Sequence, residues 1–163
     1  MATFTIDSKK LTILQEKYKV AAETYKAYAI GELNKAVDAM QVQAAAKAGN
    51  LPYLPTKAKV RYERTGNLAR SIKSTHYNPN LGYAQLSMGS QTVRYAPYVE
   101  FGTGKGFNIP SYKFKMRKPL DSFASQFRGT NLKNYNMPSR PFFFKAFDDK
   151  FSSLLQSLKK YKK

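Results

Sequence analysis

The chain has no cysteine, no tryptophan, one histidine and only ten acidic residues among 163. Without cysteine there are no disulfides and no thiolate metal sites, and the redox compartment stays unspecified. His76 has no second histidine to complete a metal site or a nucleophilic triad, so it reads as a packing or surface residue. Between residues 39 and 120 the only carboxylates are Glu63 and Glu100, too sparse for the clustered acids of a metal-dependent nuclease. Long apolar runs are missing too. Nothing approaches the roughly 20 residues needed to span a bilayer, and the opening MATFTIDSKK lacks the apolar centre of a signal peptide. The expectation is a soluble, non-secreted protein with no membrane contact, no cofactor and no enzymatic activity.

What is present is positive charge. The chain carries 28 Lys and Arg, a formal net +18, and such a surplus favours contact with something anionic, nucleic acid or an acidic protein surface. It is uneven: residues 1–48 carry a net +2, whereas 101–141 carry +7. With 42% hydrophobic residues, 12 Tyr and 11 Phe, the chain can still bury a core and is too short for two ordinary domains. Residues 1–163 are therefore read as one domain.

Asp7 or Ser8 can cap a first helix over about 8–48. Leu11, Leu14, Tyr18, Ala21, Ala22, Tyr25, Ala29, Leu33, Val37, Met40 and Ala44 recur at steps of three and four, and Gly49-Asn50 stops the pattern. Forty residues at 1.5 Å each make a helix of about 60 Å, longer than so small a domain can cover. Either it bends or part of it packs on another subunit. Residues 49–64, with two prolines and four basic residues, read as an ordered loop. Thr65 can cap a single helical turn before a strand from about Ser71 to Tyr77, and the turn at 78–82 leads to a returning strand at Tyr83–Gly89. Val93–Ala96 is expected as a further short strand, making 65–102 a small antiparallel sheet region. Pro97 and Gly102 bracket a short helical turn, PYVEF.

Residues 103–138 are expected to form a long basic excursion, with a strand at Tyr112–Met116 its one regular element. Ser139 is expected to cap a closing helix over about 139–160, with Pro141 in its first turn and Phe144, Phe147, Phe151, Leu154, Leu155 and Leu158 along one face. Three features that might suggest chemistry have plainer readings. GTGKG at 102–106 lacks the spacing of a phosphate loop. Glu100, alone among cations, is expected to be a buried or interfacial ion-pair partner. Asp148-Asp149 suits the dipole and solvation of the first half of a helix.

Three segments in this order, after a long first helix, carry a family likeness: TGNLARSI at 65–72, YAPYVEFGTGKG at 95–106 and RPFFFKAFDDKFSSLLQSLKK at 140–160. They resemble the tail-completion, or head-tail joining, family of long-tailed bacteriophages, the gene-product-ten type of lambdoid phages. Tyr95, Pro97, Tyr98, Glu100, Phe101 and Gly102 carry the most specific part of the likeness. The resemblance implies an α+β subunit in which a long helix lies on a small antiparallel sheet and a C-terminal helix completes the core. It implies that Thr65, Gly66, Leu68 and Ile72 start the sheet, that Pro97, Glu100, Phe101 and Gly102 form the turn ending it, and that Arg140, Pro141 and Phe142 begin the closing helix. It also implies a non-catalytic homo-oligomer, usually a sixfold ring. Such a ring would lie in the virion neck between head-completion (stopper) proteins and the tail terminator or tail tube, assembled in the host cytoplasm around the channel that genomic DNA crosses. The chain departs from the shortest family members by its long basic segment. Lys105, Lys113, Lys115, Arg117, Lys118 and Arg128 are the expected contacts to neighbours or DNA. The reading from a different class is a nonspecific basic nucleic-acid-binding protein, suggested by the +18 and the Tyr/Phe interleaving of 107–135.

Overall fold

A proline-free run with few β-branched residues produces the first element, α1, a continuous 42-residue helix over Ser8–Gly49. It ends where the Asn50 N–H donates to the Ala46 and Lys47 carbonyls at 3.1 and 3.2 Å, and Pro52 lies just beyond. The computed structural model describes residues 8–51, 65–103, 126 and 137–161. Of the loop expected at 49–64, Gly49 still belongs to α1 and residues 52–64 lie outside them, as do the strand expected at 112–116 and nearly all of the basic excursion.

After a single helical turn, α2 (Asn67–Arg70), the chain forms a hairpin of β1 (Lys73–Asn78) and β2 (Tyr83–Ser87). The strands pair antiparallel, Lys73 opposite Ser87 and Thr75 opposite Gln85, with an irregularity before Asn78. Asn78 makes the turn: its carbonyl accepts from Leu81 and Gly82, and Gly82 takes φ +74°, which glycine adopts without steric cost. Next come α3 (Ala96–Phe101), with Pro97 in its first turn, and α4 (Phe143–Lys160). The fold is α+β: a long N-terminal helix packed on a two-stranded antiparallel sheet, with a C-terminal helix alongside.

An isolated hairpin is marginal in water, and here the C-terminal half of α1 supports it. Val37, Met40, Ala44 and Ala48 are buried together with Leu68, Ile72, Val93, Ala96, Val99, Phe101, Phe142, Phe143, Ala146 and Leu154. Three of these residues, Ala44, Ala96 and Ala146, are fully buried alanines, small enough for backbones to approach closely around the phenylalanine rings. The core therefore sits at one end of α1, where all three family-like segments meet it.

Several local expectations are corrected. Residues 93–95 lead by a turn into α3, which Ala96 begins, rather than forming a third strand: the Val93 N–H donates to the Ser90 carbonyl and that of Ala96 to the Val93 carbonyl. Gly66, at φ +68°, occupies the cap position of α2 in place of Thr65 and makes no side-chain cap, and β1 begins at Lys73. The residues expected to start the sheet, Leu68 and Ile72, instead fill the core just before it. The closing helix begins at Phe143, with no side-chain cap from its own N-cap residue, so Ser139 and Pro141 precede the helix. Leu155 is exposed, while Ala146, Asp148, Leu154 and Phe143 take the buried positions of α4.

Candidate functional site

Glu100 is the hub of the family-like segments. The short α3 ends at Gly102, whose φ of +79° turns the chain sharply away and whose N–H donates to the Tyr98 carbonyl at 2.8 Å. That turn leaves the Glu100 side chain fully buried against the start of α4. Its Oε2 accepts from the backbone N–H groups of Phe142 and Phe143 at 2.8 and 3.0 Å, and its Oε1 from that of Phe144 at 3.2 Å. The first N–H groups of a helix have no partner within it, and the helix dipole favours an anion there. Glu100 is buried as expected, and it supplies in space the cap that α4 lacks in sequence. Charge-assisted bonds of this kind contribute about 1.5–3 kcal/mol each when desolvated.

Backbone bonds lock the same junction. The Arg140 N–H donates to the Val99 carbonyl at 2.9 Å and that of Thr103 to Met137 at 2.8 Å, while Thr103 Oγ1 accepts from the Met137 N–H at 3.1 Å. The two ends of the segment expected as an excursion, Thr103 and Met137, are therefore bonded to each other. Phe101 and Phe144 pack there with ring centroids 5.7 Å apart. Pro97 and Tyr98 are half-buried and Tyr95 is exposed on the rim. Thr65 is exposed, and its carbonyl accepts from Arg70 Nη2. Lys105, Lys113, Lys115, Arg117, Lys118 and Arg128 lie outside the described residues.

A polar stripe that periodicity did not single out joins α1 to the hairpin. Asn34, Asp38 and Gln41, at helical spacing, line the edge of β1 turned away from β2. Asn34 Oδ1 accepts from the Tyr77 N–H at 2.7 Å and Gln41 Oε1 from that of Ser74 at 3.2 Å, and Gln41 Nε2 donates to the Ile72 carbonyl at 3.2 Å. An open strand edge is a template for unwanted pairing, and helix side chains occupy this one. Asp38 Oδ1 accepts from Ser74 Oγ at 2.8 Å and Oδ2 meets His76 Nε2 at 2.8 Å. These bonds, His76 first and Ser74 second, hold the Asp38 carboxyl below its usual pKa. The order is Ser–Asp–His, with the carboxylate in the middle. A nucleophilic triad needs the imidazole between the other two, so this exposed cluster does not present one.

Along the other side of α1 runs the seam with α4. Asp149 Oδ2 accepts from Gln43 Nε2 and Lys47 Nζ at 3.0 Å each, and its Oδ1 from Lys145 at 2.9 Å. Burial pushes the Asp149 carboxyl up, but the bonds from Lys145 and Lys47 outweigh it and leave the pKa lowered. Asp148 is 2% exposed, so solvation does not account for the acidic pair. The seam ends where Tyr161 packs on Tyr25 and Tyr28, with centroids 5.1 and 4.6 Å apart, and Tyr28 Oη donates to the Ser157 carbonyl at 3.2 Å.

Beyond that point α1 continues alone. Residues 12–27 are all exposed, a rod of about 24 Å. Leu14, Tyr18, Ala21, Ala22 and Tyr25 share one side of it, and Tyr18 is 69% exposed. The charge surplus is also uncompensated locally. Among the described acids, Glu32, Asp38 and Asp149 are paired and Glu100 and Asp148 are buried, which leaves Glu16 and Glu23 on the rod. Lys73, Arg94, Lys159 and Lys160 are exposed without an ion pair among the described residues. No group of three metal-ligating side chains, and no helix long and apolar enough to cross a membrane, occurs among the described residues. No protein-family model, curated protein or solved structure matches the chain.

Proposed function

We propose that the protein is a non-catalytic structural subunit of the virion neck of a long-tailed double-stranded-DNA bacteriophage. In this reading it is a tail-completion protein that forms a ring, sixfold in the family it resembles, between head-completion proteins and the tail, assembled in the host cytoplasm. The observation that carries the assembly role is the uncovered rod of α1. Its apolar side chains at residues 13–25 stand in water in the isolated chain, and a contiguous apolar surface of this kind marks an interaction site. The resemblance of 65–72, 95–106 and 140–160 supplies the kind of assembly. Its support is that these segments meet in one core around Glu100.

The surplus of exposed cations suits a wall near DNA or an acidic neighbour. The test is complementation. A lysate of phage lacking this gene contains separate heads and tails by electron microscopy, and added full-length protein joins them and restores plaques. Separate heads and tails persisting after addition rejects the reading. Neutralising Lys113, Lys115, Arg117 and Lys118 together leaves folding intact and reduces joining. A DNA-binding role alone would show as affinity falling steeply with salt, with no effect on joining.

A further inference from the structure

We infer that the exposed stripe of the α1 rod docks on the β1–β2 hairpin of a second copy of this chain, a head-to-tail contact. This rests on the assembly reading above and names the surfaces it uses. The stripe of Leu14, Tyr18, Ala21, Ala22 and Tyr25 continues the seam that α4 fills as far as Tyr161, so the same helix face that is covered inside one subunit is left open beyond it. Its surroundings are net cationic: the rod carries Lys17, Lys19 and Lys26 against Glu16 and Glu23, and Lys159 and Lys160 stand at the end of the seam. Two such stripes laid on each other would bring cations against cations.

The hairpin offers what the stripe needs. Residues 74–93 contain no Lys, Arg, Asp or Glu in a chain with 28 basic residues, and Leu81 and Tyr83 are 56% and 51% exposed at its tip. A subunit cannot satisfy its own hairpin. Asn34, Asp38 and Gln41, which face β1, lie about 180° around α1 from the stripe at about 100° per residue. The stripe thus points away from the hairpin of its own chain. Two different, mutually compatible patches on one chain make a heterologous contact, which closes into a ring when the rotation per step permits.

The absence of native cysteine makes the contact directly readable. Full-length Tyr18→Cys and Leu81→Cys proteins are mixed under mild oxidation at moderate salt, and the expected product is a disulfide-linked pair of one copy of each. Tyr18→Cys that crosslinks mainly to itself points to stripe-on-stripe pairing and overturns the inference. In sedimentation velocity, Tyr18→Glu and Leu81→Glu each weaken self-association at least tenfold, and their mixture recovers a heterodimer through its one intact contact. Variants that associate like the wild type overturn the surface assignment but leave the assembly reading standing. A wild type monomeric at every concentration also overturns the docking, and head-tail joining then judges the assembly reading separately. Co-sedimentation with phosphatidylserine vesicles that depends on Tyr18, without self-association, assigns the stripe to lipid and overturns it too.

Discussion

One helix lives in two environments. From Tyr28 to Gly49, α1 is covered by the hairpin, α2 and α4, with Met40 and Ala44 almost inaccessible, whereas over residues 12–27 it is exposed on every side. The apolar spacing barely differs between the halves. Periodicity therefore reports that a face is to be covered and says nothing about whether the cover belongs to the same chain. Helices in proteins draw most of their stability from tertiary packing, so the uncovered half gains from whatever partner it finds.

The largest expected effect tests the covered half. Phe101→Ala removes a fully buried ring and lowers stability by about 3–5 kcal/mol, while Tyr18→Ala on the rod changes it by less than about 0.5 kcal/mol. Thermal unfolding of the two variants side by side checks the contrast. Equal losses would show that the rod is also packed within the subunit. Glu100→Gln keeps the volume but turns an amide NH2 toward backbone donors and removes the charge. It costs about 2–3 kcal/mol, read as a lower denaturation midpoint, and the helical signal of α4 falls first.

A matched pair of insertions sharpens the comparison further. Ala44→Leu overpacks the close approach in the core and costs about 1–3 kcal/mol, whereas Ala22→Leu, at an exposed helical site, is neutral or costs at most a few tenths of a kcal/mol. The smallest effect is acidic. The pKa values of Asp38 and Asp149 lie below the ordinary 3.8, so each contributes stability that is present above that value and is lost as pH falls through the lowered folded pKa. Asp149→Asn flattens the acid limb of a stability–pH curve and leaves its shape unchanged at neutral pH. An acid limb identical to that of the wild type would place the pH dependence elsewhere.

Much of the fold was legible because it is written in short-range patterns. The first helix followed from spacing, the hairpin from the Asn78–Gly82 turn, and α3 from Pro97 and Gly102. The start of α4 was misplaced at Ser139 because its anion is held 42 residues earlier, on Glu100. The signals that could have revealed it were a single carboxylate beside a glycine turn and a helix with no acidic residue in its own first turn. The stripe of Asn34, Asp38 and Gln41 escaped notice because apolar periodicity is blind to polar side chains that meet a strand edge. Val93–Ala96 looked like a strand by composition, but the turn bonds from Ser90 onward and the proline that follows commit it to α3.

Sequence alone determined the first helix, the hairpin, α3 and a large positive surplus, because each depends on residue identity or on neighbours a few residues apart. Only the tertiary structure decided which half of the long helix is covered and that one buried carboxylate ties α3 to α4. The same holds for the hairpin, which faces the side of α1 opposite the open stripe. These depend on groups far apart in the chain and close in space, and no local pattern encodes that distance.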